Sequence, residues 1–173
     1  MALIMFTCAM TGAFGSCGGN CRVTEVSVQV NHWSGQPATA LSGVLRVGYQ
    51  YRIRKPGENL EIYRDVTELA ALTTDKAGRF KVSRPAEPQF AEADPSTLKA
   101  SLAYGAKKGG DLILEPSRAR TYEDDGVCGV EYAFVLRQPA AVDPGFVQRR
   151  LRFEAAWAKD QGREVSVINP NAQ

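Results

Sequence analysis

Few residues in this 173-residue chain are equipped for chemistry. There is one histidine, His32, and there are four cysteines, Cys8, Cys17, Cys21 and Cys128. A Ser-His-Asp mechanism needs its histidine held against a nucleophile. His32 precedes Trp33 in a Gly/Pro loop, no G-x-S-x-G element occurs anywhere, and so it reads as a surface residue. Zinc is usually held by two close pairs of ligands. Cys17 and Cys21 are four apart, but Cys128 and His32 make no second pair. The run Glu123-Asp124-Asp125-Gly126 offers carboxylate oxygens yet lacks the alternating ligands of a calcium loop. It reads as a solvated turn. Lys107-Lys108-Gly109-Gly110 has no Walker frame and is a turn as well. A glycosidase needs two carboxylates at a set separation, and 19 acidic residues allow too many pairs to single one out. No catalytic residue, metal ligand or cofactor is expected. Trp33, Tyr49, Tyr51, Tyr63 and Tyr104 could line a carbohydrate-binding face, although strand aromatics more often fill a core.

The elements that must position these residues follow from composition and periodicity. Hydrophobic residues make up 44% and charged residues 23% of the chain, an ordinary globular balance. A net charge of +2 gives no electrostatic case for nucleic-acid binding. No apolar run reaches the roughly 18–20 residues of a membrane span. Period-two alternation then dominates, as half-buried strands require. Val26, Val28 and Val30 alternate with polar residues, after one slip near Glu25. Val47, Tyr49, Tyr51 and Ile53 share a face, as do Leu98, Ala100, Leu102 and Tyr104. Cys128, Val130, Tyr132, Phe134 and Leu136 alternate strictly, which puts Cys128 on a core face. Leu60, Ile62 and Val66 suggest a short strand, and Leu112-Ile113-Leu114 another.

Turn signals separate these runs. Asn31 to Pro37, Lys55 to Asn59 and the proline-bearing segment from Arg84 to Pro95 read as loops. Ser117 to Gly126 reads as a charged loop. Thr74-Asp75-Lys76-Ala77-Gly78-Arg79-Phe80 reads as a hairpin on a type I turn plus a bulge, with Gly78 at positive φ. The tail carries two patterns. Asp143-Pro144 and Ala155, Ala156 and Ala158 favour a helix. Leu151, Phe153, Ala155 and Trp157 alternate with charged residues and favour a hairpin, which is the reading adopted. The whole points to an all-β fold, a single antiparallel β-sandwich of prealbumin-like or Ig-like type over 22–173.

The start of the chain, MALIMFTCAMTGAFGSC, is uncharged, apolar and then rich in small residues, the layout of a secretory signal. Phe14-Gly15-Ser16-Cys17 resembles the bacterial lipobox. That resemblance implies a signal peptide over 1–16, a diacylglycerol thioether on Cys17 and a short tether over 17–21. Phe14 stands where Leu is usual, and no Lys or Arg precedes Arg22, so the basic part of such a signal is expected upstream of Met1. With Gly18 rather than Asp after the lipidated cysteine, the implied destination is the outer membrane. A secreted form without lipid and a cytoplasmic chain remain the alternatives. If Cys8 leaves with the signal and Cys17 takes lipid, Cys21 and Cys128 remain. An oxidising compartment then favours a disulfide between them.

Gly35-Gln36-Pro37, Ser42-Gly43-Val44 with Val47, and the Thr74–Phe80 turn resemble the carboxypeptidase regulatory-like, or transthyretin-like, β-sandwich family. The likeness covers less than half of the chain. It implies an accessory module without catalytic residues. The expected function is therefore a non-catalytic binding or scaffolding lipoprotein, joined to the membrane through its lipid, with an unknown protein or glycan partner and no nucleic acid. A carbohydrate- or peptide-binding module and a secreted hydrolase with an acidic site are the alternatives. Non-reducing peptide mapping of the mature protein should find lipid on Cys17 and Cys21 joined to Cys128. An unmodified Cys17, or free thiols at both of the others, would remove these assignments.

Overall fold

Alternating β-branched and aromatic residues commit most of the chain to strands. The computed structural model describes residues 23–54, 57, 61–83, 97–108, 110–124 and 127–168. Nine strands and one helix occur among them. They are β1 (Val23–His32), β2 (Ser42–Arg54), β3 (Glu61–Thr73), β4 (Arg79–Ser83), β5 (Lys99–Gly105), β6 (Asp111–Leu114), β7 (Arg118–Asp124), β8 (Val127–Leu136), α1 (Phe146–Asp160) and β9 (Glu164–Ile168). One sheet has the order β4-β1-β8-β7 and the other the order β6-β5-β2-β3-β9. The all-β sandwich is as expected. Its sheets are mixed rather than purely antiparallel, because β1 runs parallel to β8 and β3 parallel to β9.

The core lies between the sheets and uses the faces that alternation assigns. Val26, Val28 and Val30 of β1 meet Tyr49 and Tyr51 of β2 and Tyr132 and Phe134 of β8 in one buried cluster. Cys128 lies on that face of β8 and is 1% exposed. The slip near Glu25 is a bulge, since the register of β1 on β8 shifts between Val23 and Glu25.

Three local readings need correction. Residues 118–124 form β7, hydrogen-bonded along β8, instead of a loop. An edge strand whose outer face meets water can be highly polar, so charge density misleads there. Residues 61–73 form one long strand rather than a short one. The third correction concerns the tail, where the helix prevails over the hairpin. Phe146, Arg150, Glu154 and Ala158 are its buried residues, a spacing of four. The alternating set leaves Phe153 58% and Trp157 41% exposed. The helix begins two residues later than the Asp143-Pro144 signal suggests. Asp143 still serves its start, accepting from the Gly145 backbone at 2.9 Å and pairing with Arg149.

A second, thinner apolar layer lies under the helix. Val44, Leu69 and Ala103, on the outer face of the five-stranded sheet, are 0–4% exposed. Phe146 packs over Gly105 at 3.5 Å from where a Cβ would stand. The helix thus turns a two-layer sandwich into sheet, sheet and helix. Among the described residues no helix is long and apolar enough to cross a membrane.

The Asp75–Gly78 turn has the expected local chemistry and an unexpected role. Asp75 Oδ1 accepts from the backbone of Ala77 and of Arg79, both at 2.8 Å, and Gly78 has φ +71°. However, β3 pairs with β2 while β4 pairs with β1, so the turn carries the chain from one sheet to the other. Gly78 O also accepts from Val30 N at 2.8 Å, which locks the turn to β1. Thr74, just before it, accepts from Leu41 N and donates to Ala38 O, fixing the β1–β2 connection to the same corner. A Cβ on Gly78 would lie 2.4 Å from Val30 O. Gly78→Val should lower unfolding stability by more than the roughly 1–2 kcal/mol of left-handed strain. Gly35→Val, at φ +85° with nothing within 4 Å, bears the strain without the clash and should cost less. Urea midpoints check both, and an unchanged midpoint for Gly78→Val would show the turn misread.

Candidate functional site

The geometry gathers its polar side chains where sequence motifs did not point. Residues facing outward from β2, β3 and β5 meet the C-terminal half of α1 in a groove of about 410 Å³. The helix end builds one wall. Gly162, at φ +69°, stops the helix, with Gly162 N bonded to Lys159 O at 2.9 Å and Arg163 N to Ala158 O at 3.0 Å. This reversal lays Arg163 across the sheet, where its Nη2 donates to Val66 O at 3.2 Å. Gly48 makes room for it, since a Cβ there would lie 3.0 Å from Arg163 Nη2.

Trp157 forms a second wall. The Arg46 guanidinium lies 5.2 Å from its ring centre, and Arg46 Nη1 pairs with Glu154 at 3.2 Å. Glu154 is in turn bonded to Arg150 at 2.5 Å, with side chains 5% and 10% exposed. Arg150 reaches Asp111 at 3.4 Å and lies 5.0 Å from the Phe153 ring. This buried network fixes the helix relative to β2 and therefore fixes the groove. Gln50 and Asp65, bonded at 2.9 Å, stand at one end, and Glu115 also lines the groove. Thr67 and Ser101 belong to the lining and are 1% and 5% exposed.

A separate titratable cluster occupies the outer face of the other sheet. Tyr122 lies over Gly129 and bonds Glu25, and Ser27 Oγ is 3.0 Å from its hydroxyl. Lys81 Nζ pairs with Glu25 at 2.6 Å. Burial works to raise the Glu25 pKa, but the Lys81 and Tyr122 hydrogen bonds outweigh it and hold it below its ordinary value. Burial first, and then the bond to Glu25, push the Tyr122 phenol up to about 12. Arg118 and Arg120 both pair with Glu131, which continues a polar ladder across this face.

The residues singled out in the sequence fall elsewhere. Cys17 and Cys21 lie outside the described residues, as do Cys8, the Arg84–Pro95 segment, Asp125 and Gly126. Cys128 sits opposite Val23, two positions after Cys21. His32 ends β1, and its backbone closes the loop through Gln36 at 2.7 Å. Tyr49, Tyr51 and Tyr104 are buried in the core, whereas Trp33 and Tyr63 are 78% and 59% exposed. Those five aromatics do not form one face. Among the described residues no group of three His, Cys, Asp or Glu could hold a metal. The groove's members were missed because Thr, Ser and Arg at scattered positions carry no motif. Gly48, a glycine inside a strand, was the available signal of a close approach. No protein-family model, curated protein or solved structure matches the chain.

The Tyr122 cluster makes a pH prediction. A phenol raised in the folded state contributes stability that is complete below the unfolded pKa of 10 and is lost as pH rises through about 12. The stability difference between wild type and Tyr122→Phe should shrink across that window. Phenolate absorbance, taken as the difference between wild type and Tyr122→Phe, would contradict the bond if it showed Tyr122 ionising near the ordinary phenol value of 10.

Proposed function

We propose that the protein is an envelope lipoprotein, anchored through Cys17 and braced by a Cys21–Cys128 disulfide, whose β-sandwich binds a ligand without turning it over. The observation that carries the binding reading is the groove beside Trp157. It is a concave, mixed-polarity site held by a buried ion network rather than by loops. Neither Thr67 nor Ser101 has a base bonded to its hydroxyl among the described residues, so neither is set up as an activated nucleophile. The bridge draws support from Cys128, which is buried and lies beside the strand that follows Cys21. A bridge that closes a loop of about a hundred residues would stabilise by roughly 4–5 kcal/mol on the chain-entropy model. The resemblance to the carboxypeptidase regulatory-like family belongs to this proposal, and an accessory binding role agrees with it.

The full chain, purified in detergent, is tested against glycan and peptide panels beside Trp157→Ala and Lys99→Glu. One ligand class should bind, and both variants should weaken it by about tenfold or more. Binding that ignores both variants would take the groove out of the proposal. Turnover lost on Asp65→Asn or Glu115→Gln would favour the hydrolase instead.

A further inference from the structure

We infer that the groove recognises an acidic saccharide, a sugar ring bearing a carboxylate. This rests on the groove being the binding site. The floor of the groove carries two cations without carboxylate partners among the described residues. Lys99, Gly48 and Thr67 are neighbours in one row across β5, β2 and β3. Arg163 crosses the same row from the helix end. Neither Lys99 nor Arg163 pairs with a carboxylate among the described residues. The next row places Ser101 beside Arg46. Thr67 and Ser101 line the groove, and among the described residues neither hydroxyl has a hydrogen-bond partner. Their side chains are largely buried, but the hydroxyl oxygens are not sealed from solvent and open into the groove. Arg163 Nε, by contrast, is buried and lacks a partner among the described residues. The two hydroxyls and the two cations without carboxylate partners face one space, the donor set a carboxylate requires.

The remaining lining selects the body of the ligand. Trp157, with Arg46 over its ring and 41% of its surface exposed, adds apolar surface at the groove's side that suits the C–H face of a sugar ring. Gln50, Asp65 and Glu115 supply the acceptors and donors that ring hydroxyls use. A peptide is less well served. Extended peptides add to a sheet edge, and helical ones need an apolar channel. This groove lies on a sheet face with a single aromatic wall.

The probes are a glucuronate-containing tetrasaccharide and the same molecule with its carboxylates reduced to alcohols. Tryptophan fluorescence and calorimetry on the full chain in detergent give the affinities. The acidic probe should bind, the reduced probe about tenfold or more weaker, and added salt should weaken the acidic probe more. Lys99→Glu should remove the preference for the acid, whereas Trp157→Ala should weaken both probes. Thr67→Ser, which keeps the hydroxyl, should retain binding where Thr67→Val loses it. Circular dichroism confirms that each variant is folded. Equal affinity for the two probes would overturn the acidic part. No binding of either probe, with a peptide bound instead and lost in Trp157→Ala, would overturn the saccharide class and leave the groove standing. Saccharide binding untouched by Lys99→Glu and Trp157→Ala would overturn the groove itself.

Discussion

Glu154 is a carboxylate almost out of reach of water, and the placing of the helix depends on its partners. Removing such a charge from solvent costs several kcal/mol unless opposite charges and hydrogen bonds meet it. Arg150 meets it from the same helix, one turn earlier, and Arg46 from β2. The first contact is local and forms wherever the helix forms. The second can be made only with the helix laid over the outer face of the five-stranded sheet. Breaking it would leave a poorly compensated charge, so the pair favours one seating of the helix over others. Val44, Leu69 and Ala103 stay covered as a result. The sheet's inner face needs no such device, since its aromatic and branched side chains meet the other sheet directly.

The two outer faces differ accordingly. The four-stranded sheet leaves its outer face to water and covers it with a ladder of bonded charges. Tyr122 fills the space above Gly129 and gives that sheet the packing a glycine would otherwise forgo. The five-stranded sheet covers part of its outer face with the helix. Where the helix ends at Gly162, the sheet surface is uncovered again, and the step between the two levels is the groove. The site is a by-product of helix length and of the glycine that ends it. Its walls consequently inherit the rigidity of the elements.

Strand faces were readable because burial follows the pleat. Val26 to Val30, Val47 to Ile53 and Cys128 to Leu136 all alternate as they pack. The helix was misread for a physical reason. Two of its four inward residues, Arg150 and Glu154, are charged, so a pattern based on hydrophobicity does not register them as buried. Phe153 and Trp157, the residues that suggested a strand face, point away from the apolar layer and stack with arginines. The Asp75–Gly78 turn was legible down to its bulge, but turn chemistry is local and does not say which strand receives the next segment. The groove was least legible. Lys99, Gly48 and Thr67 become neighbours only through the registers of β2 with β3 and β5, and no spacing in the chain encodes that.

The parallel pairing of β1 with β8 bears on how the molecule comes into being. Val26 lies opposite Val130, so about a hundred residues separate two strands that end side by side. Among the described strands β1 leaves the ribosome first, and its long-range neighbour β8 comes among the last. Contacts of such separation form late and slowly. Until then the backbone of β1 can be hydrogen-bonded along one edge only, by β4, which itself comes after β3. A young chain therefore carries an unpaired, β-prone edge for most of its synthesis. The charges and amides on the strand's other face, Glu25, Gln29 and Asn31, keep the strand polar on one side and temper its tendency to associate with other copies.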